Sequence, residues 1–286
     1  MRVVFYAEPD HRFDRVISAM FRSGVRACGD RCEVLPISQY DGLPHRKTDV
    51  AAFLGVKNKS RLVYDSHRAA GKHIVILDKG YTRIRGGPLG TAYWRTVVDD
   101  FQPHAYLMTQ PFAADRWEAL KLKIQPMRRD GCGQVLFCGG SQKYCNWHGL
   151  GGANEYAKTI LDSLRCLTSR AIVYRPKPSW VGAAKIEPHG YSHPETTMNV
   201  ELAKTFHVVT FGSNAAFEAL LCGVPAVVLG DGIARSLSRT SVADAERPLY
   251  PSLDAVQRLA CAVAYQQWTL QEMRRGDCWQ HLRQQL

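Results

Sequence analysis

No CxxC pair occurs among the nine cysteines of this 286-residue chain, and their number is odd. Cys28 with Cys32, and Cys132, Cys138 and Cys145 with His148, come nearest to a ligand cluster, yet none has the spacing of a zinc knuckle. Cys166, Cys222 and Cys261 sit in apolar or helical stretches, which suits buried free thiols in a reducing compartment. No apolar run approaches a membrane span, and the opening MRVVFYAEP is too brief and too soon interrupted for a signal peptide. The expectation is a soluble, cytoplasmic protein. Acidic metal motifs of DxD form are missing too, since Asp99 and Asp100 adjoin without the middle residue and Asp115 stands alone. There is no fixed-period repeat, coiled-coil heptad or low-complexity tract, which excludes solenoids and fibrous architectures.

Positive charge, by contrast, is in excess. Lys+Arg 37 against Asp+Glu 26 gives a net charge of +11, which favours an acidic partner: a nucleic acid, a nucleotide or an anionic membrane surface. The basic residues are scattered, with local clusters at Arg46 to Lys47, Lys57 to Arg61, Arg83 to Arg85, Arg128 to Arg129 and Arg274 to Arg275. Simple solubility and a dedicated polyanion groove both fit that distribution.

The length predicts two domains of roughly 130 residues each. Strand-like runs at Arg2 to Ala7, Cys32 to Leu35, Val50 to Leu54 and His73 to Leu77 alternate with helical patterns at Phe13 to Arg26 and Ser60 to Ala70. That alternation predicts an α/β fold with a parallel, doubly wound sheet. A charged, glycine-bearing link, Pro126 to Gly133, precedes a second such series that starts with a strand at Gln134 to Cys138. The expected division is 1–125, 126–252, and a helical tail over 253–286 that braces the first domain. Two Rossmann-like domains of this kind would face each other across a cleft.

Within the second domain, FHVVTFGSNAAFEALLCGVPAVVLG (Phe206 to Gly230) reads as strand, tight turn, short helix, glycine stop and strand. Gly212 relaxes the backbone as it leaves the strand, and Ser213 and Asn214 are N-cap types. Helix N–H groups left free at that end favour an anion such as a pyrophosphate. Glu218, in or just past the first turn, is placed to accept from ribose hydroxyls. The plainer alternative is a capped, buried helix in a parallel sheet with no ligand.

These residues also resemble a known family. The paired Rossmann-like halves, YRPKP after a strand, and TFGSNAAFEALLCGVPAVVLG look like the nucleotide-binding half of GT-B glycosyltransferases. Within that family they are similar to the capsule-polysaccharide and Kdo-type branch, and to short bacteriophage-encoded enzymes proposed to decorate hypermodified DNA bases. VVFYAEP, ILDKGYTR, GGSQKYCNWHGLGG and AYQQWTLQEMRRGDCW extend the likeness to the phage proteins over most of the chain. The resemblance implies transfer of a sugar from a nucleotide-sugar donor to a hydroxyl, without a metal or other cofactor. The implied acceptor is a hydroxymethyl pyrimidine in double-stranded DNA, with a polysaccharide or lipid-linked acceptor as the alternative. A non-catalytic nucleic-acid-binding protein and a sugar-nucleotide epimerase are further readings.

Carried over by position, Gly212, Ser213 and Asn214 would meet the donor phosphates, Glu218 the ribose or sugar hydroxyls, and Arg175 and Lys177 the leaving diphosphate. Fixed cations and N–H groups aimed at charge that develops there would stabilise the transition state. Ser141 and Lys143, the latter placed to touch phosphate, are further donor-binding candidates in Gly139 to Gly152, which reads either as a mobile flap or as a surface loop with Trp147 packed inward. Candidates for the acceptor base are Asp78, Glu8 and Asp10, all directly after strands. The plainer alternatives are an ion pair from Asp78 to Lys79 or Arg83 and a loop-capping role for Asp10, and His11 is a base or a surface residue. Arg83, Arg85, Tyr81 and Trp94 mix cations and aromatics as an acceptor groove would, or form an ordinary loop.

Overall fold

The computed structural model describes residues 1–56, 59–82 and 92–286. In chain order the elements are β1 (Arg2–Ala7), α1 (Arg12–Ala27), β2 (Arg31–Pro36), β3 (Val50–Leu54), α2 (Ser60–Ala69), β4 (His73–Lys79) and β5 (Trp94–Val98). There follow α3 (His104–Thr109), α4 (Asp115–Ala119), β6 (Gln134–Cys138), α5 (Gln142–His148), α6 (Ala153–Leu167), β7 (Ile172–Arg175), β8 (Gly190–Tyr191) and α7 (Met198–Leu202). The chain ends with β9 (Thr205–Thr210), α8 (Ala215–Leu221), β10 (Ala226–Val228), α9 (Leu253–Ala264), β11 (Gln267–Trp268), α10 (Leu270–Arg275) and α11 (Asp277–Arg283).

The chain forms two compact units, Met1–Phe101 with Tyr265–Leu286, and Gln102–Ala264. The division therefore falls at different places from the expected 125 and 252. α3 and α4 pack on α9 within the second unit, so the apolar faces on either side of the Pro126 link belong together. The expected continuous tail is interrupted at Gln267–Trp268, a strand that pairs with β5 and carries α10 and α11 into the first unit.

In the first unit the sheet order is β11-β5-β4-β3-β1-β2. β1, β2, β3 and β4 run parallel, as the alternating pattern predicts, whereas β5 is antiparallel to β4. β5 escapes a reading based on apolar runs because its sequence, WRTVV, buries Arg95 and Thr96. Arg95 is tolerated there because Asp78, opposite it in register, pairs with it at 3.0 Å, and its guanidinium lies over the rings of Tyr81 and Phe101.

α1 buries Ile17, Phe21 and Val25 against Val3 and Phe5 of β1, and Met273, Trp279 and Leu282 from the end of the chain complete that core. The crossing of α1 and α10 is close: a Cβ at Gly24 would lie 1.8 Å from the Met273 carbonyl oxygen. Only glycine fits. Asp30 ties the same layer down, accepting from the Trp279 indole at 2.8 Å.

The second unit has the order β10-β9-β6-β7-β8, and every pair in it is parallel. β9, α8 and β10 form the predicted βαβ unit. No helix among the described residues is long and apolar enough to cross a membrane.

Candidate functional site

In a parallel sheet, ligands meet the carboxyl ends of the strands, where helix N-termini and crossover turns converge. In the second unit β9, β6 and β7 are neighbours, so the turns that follow them stand side by side on one edge. Those turns carry Phe211 to Asn214, Gly139 to Ser141, and Pro176 with Lys177. The structure thus brings Ser141, Lys177, Ser213 and Asn214 to one edge of one sheet, although they are far apart in sequence.

The turn after β9 is fixed from below and from the side. The Thr210 hydroxyl donates to the Cys138 carbonyl at 2.9 Å and accepts from the Ser213 N–H at 3.2 Å. Ser213 Oγ in turn accepts from the Ala215 N–H at 3.3 Å, as expected of a capping serine. Asn214 differs from expectation. It has helical dihedrals (φ −56, ψ −16) and makes no side-chain cap bond, so it begins the helix rather than capping it. Gly212 lies against the loop after β10, where a Cβ would come within 1.8 Å of the Asp231 carbonyl oxygen. The Gln102 amide donates to the Gly212 carbonyl. Ser213, Asn214 and Glu218 remain partly exposed around this pinned turn. Glu218 lies near the Cys138 thiol, which burial first, and then the carboxylates of Glu218 and Glu201, push up to about 12.

The expected flap is not one. Gln142 to His148 form a helix with Cys145 and Trp147 buried, and the rings of Tyr144 and His148 pack on Phe211 at 6.1 and 5.0 Å between centroids. Gln142 closes the segment, its side chain bonding the Gly151 carbonyl and the Ala153 N–H. Glycines at both ends and a polar, aromatic composition disguised a short packed helix. The alternative in which Trp147 turns inward matches the structure. Ser141 is half-buried at the start of α5, and Lys143 is exposed.

The RPKP turn separates two cations. Arg175 is 5 % exposed, and its guanidinium donates to Ser192 Oγ at 2.6 Å and to the Thr196 carbonyl at 2.7 Å. Ser192 passes a hydrogen bond on to Glu201 at 2.8 Å. Arg175 is therefore committed to holding residues 192–201, and Lys177, two positions on, is the exposed cation of the pair.

On the first unit, the carboxyl edge holds Glu8 to His11 after β1 and Asp78 in the last turn of β4, with β3 between them. Asp78 is engaged by Arg95 and by the Lys79 N–H, so among the described residues its ion pair runs to Arg95 rather than to Lys79, while the expected partner Arg83 lies outside the described residues. Glu8 is half-buried and Asp10 exposed. His11 is more specifically held. Its Nδ1 lies 3.1 Å from Oδ1 of Asp14, whose other oxygen accepts from the Glu8 N–H at 2.7 Å. Asp14 is 1 % exposed, whereas half of the His11 side chain is open to solvent. A carboxylate on Nδ1 makes that atom the donor and leaves Nε2 as the lone-pair nitrogen. The sequence carries the signal, a histidine before a helix and an aspartate three residues on, but Asp14 falls in the apolar face of the helix and spacing alone does not single it out.

Phe13 links this edge to β5, its ring 5.8 Å from His11 and 5.7 Å from Trp94. Trp94 is buried, and its indole N–H has no hydrogen-bond partner among the described residues. Tyr81 is 1 % exposed beneath Arg95, a core residue rather than an open stacking face. Burial pushes its hydroxyl up to about 12. Arg83 and Arg85 lie outside the described residues. Among the described residues no group of histidine, cysteine and carboxylate side chains is arranged to hold a metal ion.

No family model and no curated protein matches the chain. Solved structures do. The β-Kdo 2,4 transferase of KpsC from Thermosulfurimonas dismutans is similar over 92% of this chain and 90% of its own, at 14% identity and a TM-score of 0.55. The β-Kdo 2,7 transferase of KpsC from the same organism is similar over 99% of both chains, at 14% identity and a TM-score of 0.51. The chain has the mixed α/β, GT-B fold of those glycosyltransferases.

Proposed function

We propose that the protein is a glycosyltransferase that moves a sugar from a nucleotide-sugar donor to a hydroxyl group. The observation that carries this reading is the carboxyl edge of the second unit, where three neighbouring strands present Ser141, Lys177 and the pinned Ser213 turn, in a fold shared with sugar transferases. In the proposed reaction the bond between the anomeric carbon and the phosphate oxygen breaks, and the leaving phosphate takes the electron pair. Lys177 and the amide groups of Ser141 and Asn214 offset that charge, and Glu218 accepts from donor hydroxyls. Arg175 acts by positioning residues 192–201. No divalent ion has a role in this scheme, so chelation should leave the rate unchanged.

Acceptor activation falls to the first unit. His11 Nε2 is the proposed base that takes the proton from the acceptor hydroxyl, and Asp14 holds the ring and its charge. Asp78, Glu8 and Asp10 border the same edge, and Asp78 is the member already neutralised by an arginine.

For the acceptor we propose a hydroxymethylated pyrimidine of double-stranded DNA, supported by the net charge of +11 and by the resemblance of the chain to phage DNA-modifying enzymes. The direct test is label transfer from a pool of nucleotide sugars to hydroxymethylated duplex DNA. Label in the DNA supports this acceptor; none with any donor contradicts it. A glycan acceptor is the second reading, favoured by the structural likeness to two Kdo transferases, and label in an oligosaccharide alone would establish it.

A further inference from the structure

One face of α1 is lined with arginine along its whole length. Arg12, Arg15, Arg22 and Arg26 follow one another at helical spacing, with Ala19 filling the gap, so all four lie on one side. The opposite side carries the buried residues, including Asp14, the one acidic residue of the helix. At the far end, α10 adds Arg274, and Arg22, Arg26 and Arg274 rim a shallow cavity of about 510 Å³ floored by Ala19 and Met20. Among the described residues no carboxylate pairs with any of these five guanidinium groups; Arg26 donates to the Cys32 carbonyl. A face shaped by solubility alone would intersperse both signs.

We infer that this face of α1, together with Arg274, is a docking surface for the phosphodiester backbone of a nucleic-acid duplex. Arg12 and Arg26 are separated by about 21 Å at the helical rise of about 1.5 Å per residue. That length matches about six phosphates of one strand, spaced about 3.4 Å along the duplex axis. The stripe starts beside His11, so a backbone lying along it reaches the edge where the acceptor hydroxyl is activated. Guanidinium groups bind phosphate oxygens in pairs, and no base is read, so the contact supplies affinity and register without sequence preference. A membrane-lying helix would instead offer its apolar residues outward, and those of α1, apart from Phe13, are packed into or against the core.

The use of this surface rests on the DNA-acceptor reading, but its test does not. The experiment measures binding of the intact protein to an unmodified duplex by fluorescence anisotropy, between about 50 and 200 mM salt. Replacing Arg15→Ala, Arg22→Ala and Arg274→Ala together should reduce the magnitude of the slope of log K against log salt by about 3, one unit per lost phosphate contact. The matching triple Arg→Lys variant, which keeps the charge, should retain the wild-type slope. Equal slopes for wild type and the alanine variant would overturn the proposal. So would loss of binding to phosphatidylserine vesicles with duplex binding intact. Sugar transfer to a free hydroxymethylated nucleoside should proceed at the wild-type rate in the alanine variant. If wild type itself transfers nothing to nucleoside or DNA, the acceptor reading fails while the slopes still decide the surface.

Discussion

His11 owes its orientation to Asp14, and the two substitutions should therefore act differently. His11→Ala removes the group that touches the proton and should lower kcat by about 10²- to 10⁴-fold with donor KM unchanged. Asp14→Asn should give an intermediate loss. The two cations of the RPKP turn make a second contrast. Lys177→Ala should raise donor KM and leave the melting temperature alone. Arg175→Ala strands Ser192 and Glu201 inside the second unit and should cost about 3 to 5 kcal/mol in denaturant unfolding. His207 gives a pH dependence. Burial pulls its pKa down from 6.5 to about 4, with Glu246 opposing the shift and Arg170 reinforcing it. Because the folded pKa lies below the unfolded one, the unfolded chain binds the extra proton between those values. Stability is fully present above about pH 6.5 and falls as the pH drops toward 4, by on the order of 3 kcal/mol. In His207→Phe that loss should be absent from a series of urea titrations.

Between elements, α1 approaches α10 closely at Gly24. Gly24→Ala would drive a methyl group into the Met273 carbonyl and should destabilise the protein by about 1 to 3 kcal/mol, read as a lower urea midpoint at constant m. The elements that were legible in the sequence are those whose burial shows as periodicity. β1, α1, β3, β6 and the β9–α8–β10 unit each combine an apolar run or stripe with glycine or proline at the end. β5 was not legible, because its buried polar residues are satisfied by Asp78 and by aromatic rings from other parts of the chain. α5 was hidden for a related reason: its buried face is made of Cys145 and Trp147, and its closure depends on the side chain of Gln142 reaching Gly151 and Ala153. The edge at which we propose the donor binds was legible at Ser213 and Lys177 in so far as both follow local strand-end motifs. The pairing of His11 with Asp14 is local but hidden in the apolar face of α1, whereas that of Arg175 with Ser192 is a tertiary contact that spacing does not encode.

At the scale of the whole molecule, the two sheets of the GT-B fold divide the proposed work, with donor binding assigned to the second unit and acceptor activation to the first. The chain crosses from the first unit to the second at Phe101 and returns at Tyr265, so a C-terminal truncation before Tyr265 removes Met273, Trp279 and Leu282 from the core of the first unit. The measurement that tests the central claim most directly is a thermal-shift titration with uridine, cytidine, guanosine and thymidine diphosphate sugars, on wild type and on a Lys177→Ala, Ser213→Ala double variant. One donor should raise the wild-type melting temperature in a concentration-dependent way, by about 2.7 kcal/mol of stabilisation at a hundredfold excess over Kd, and the double variant should need far more of it. A melting temperature unmoved by every nucleotide sugar, or raised equally in both proteins, would contradict the account.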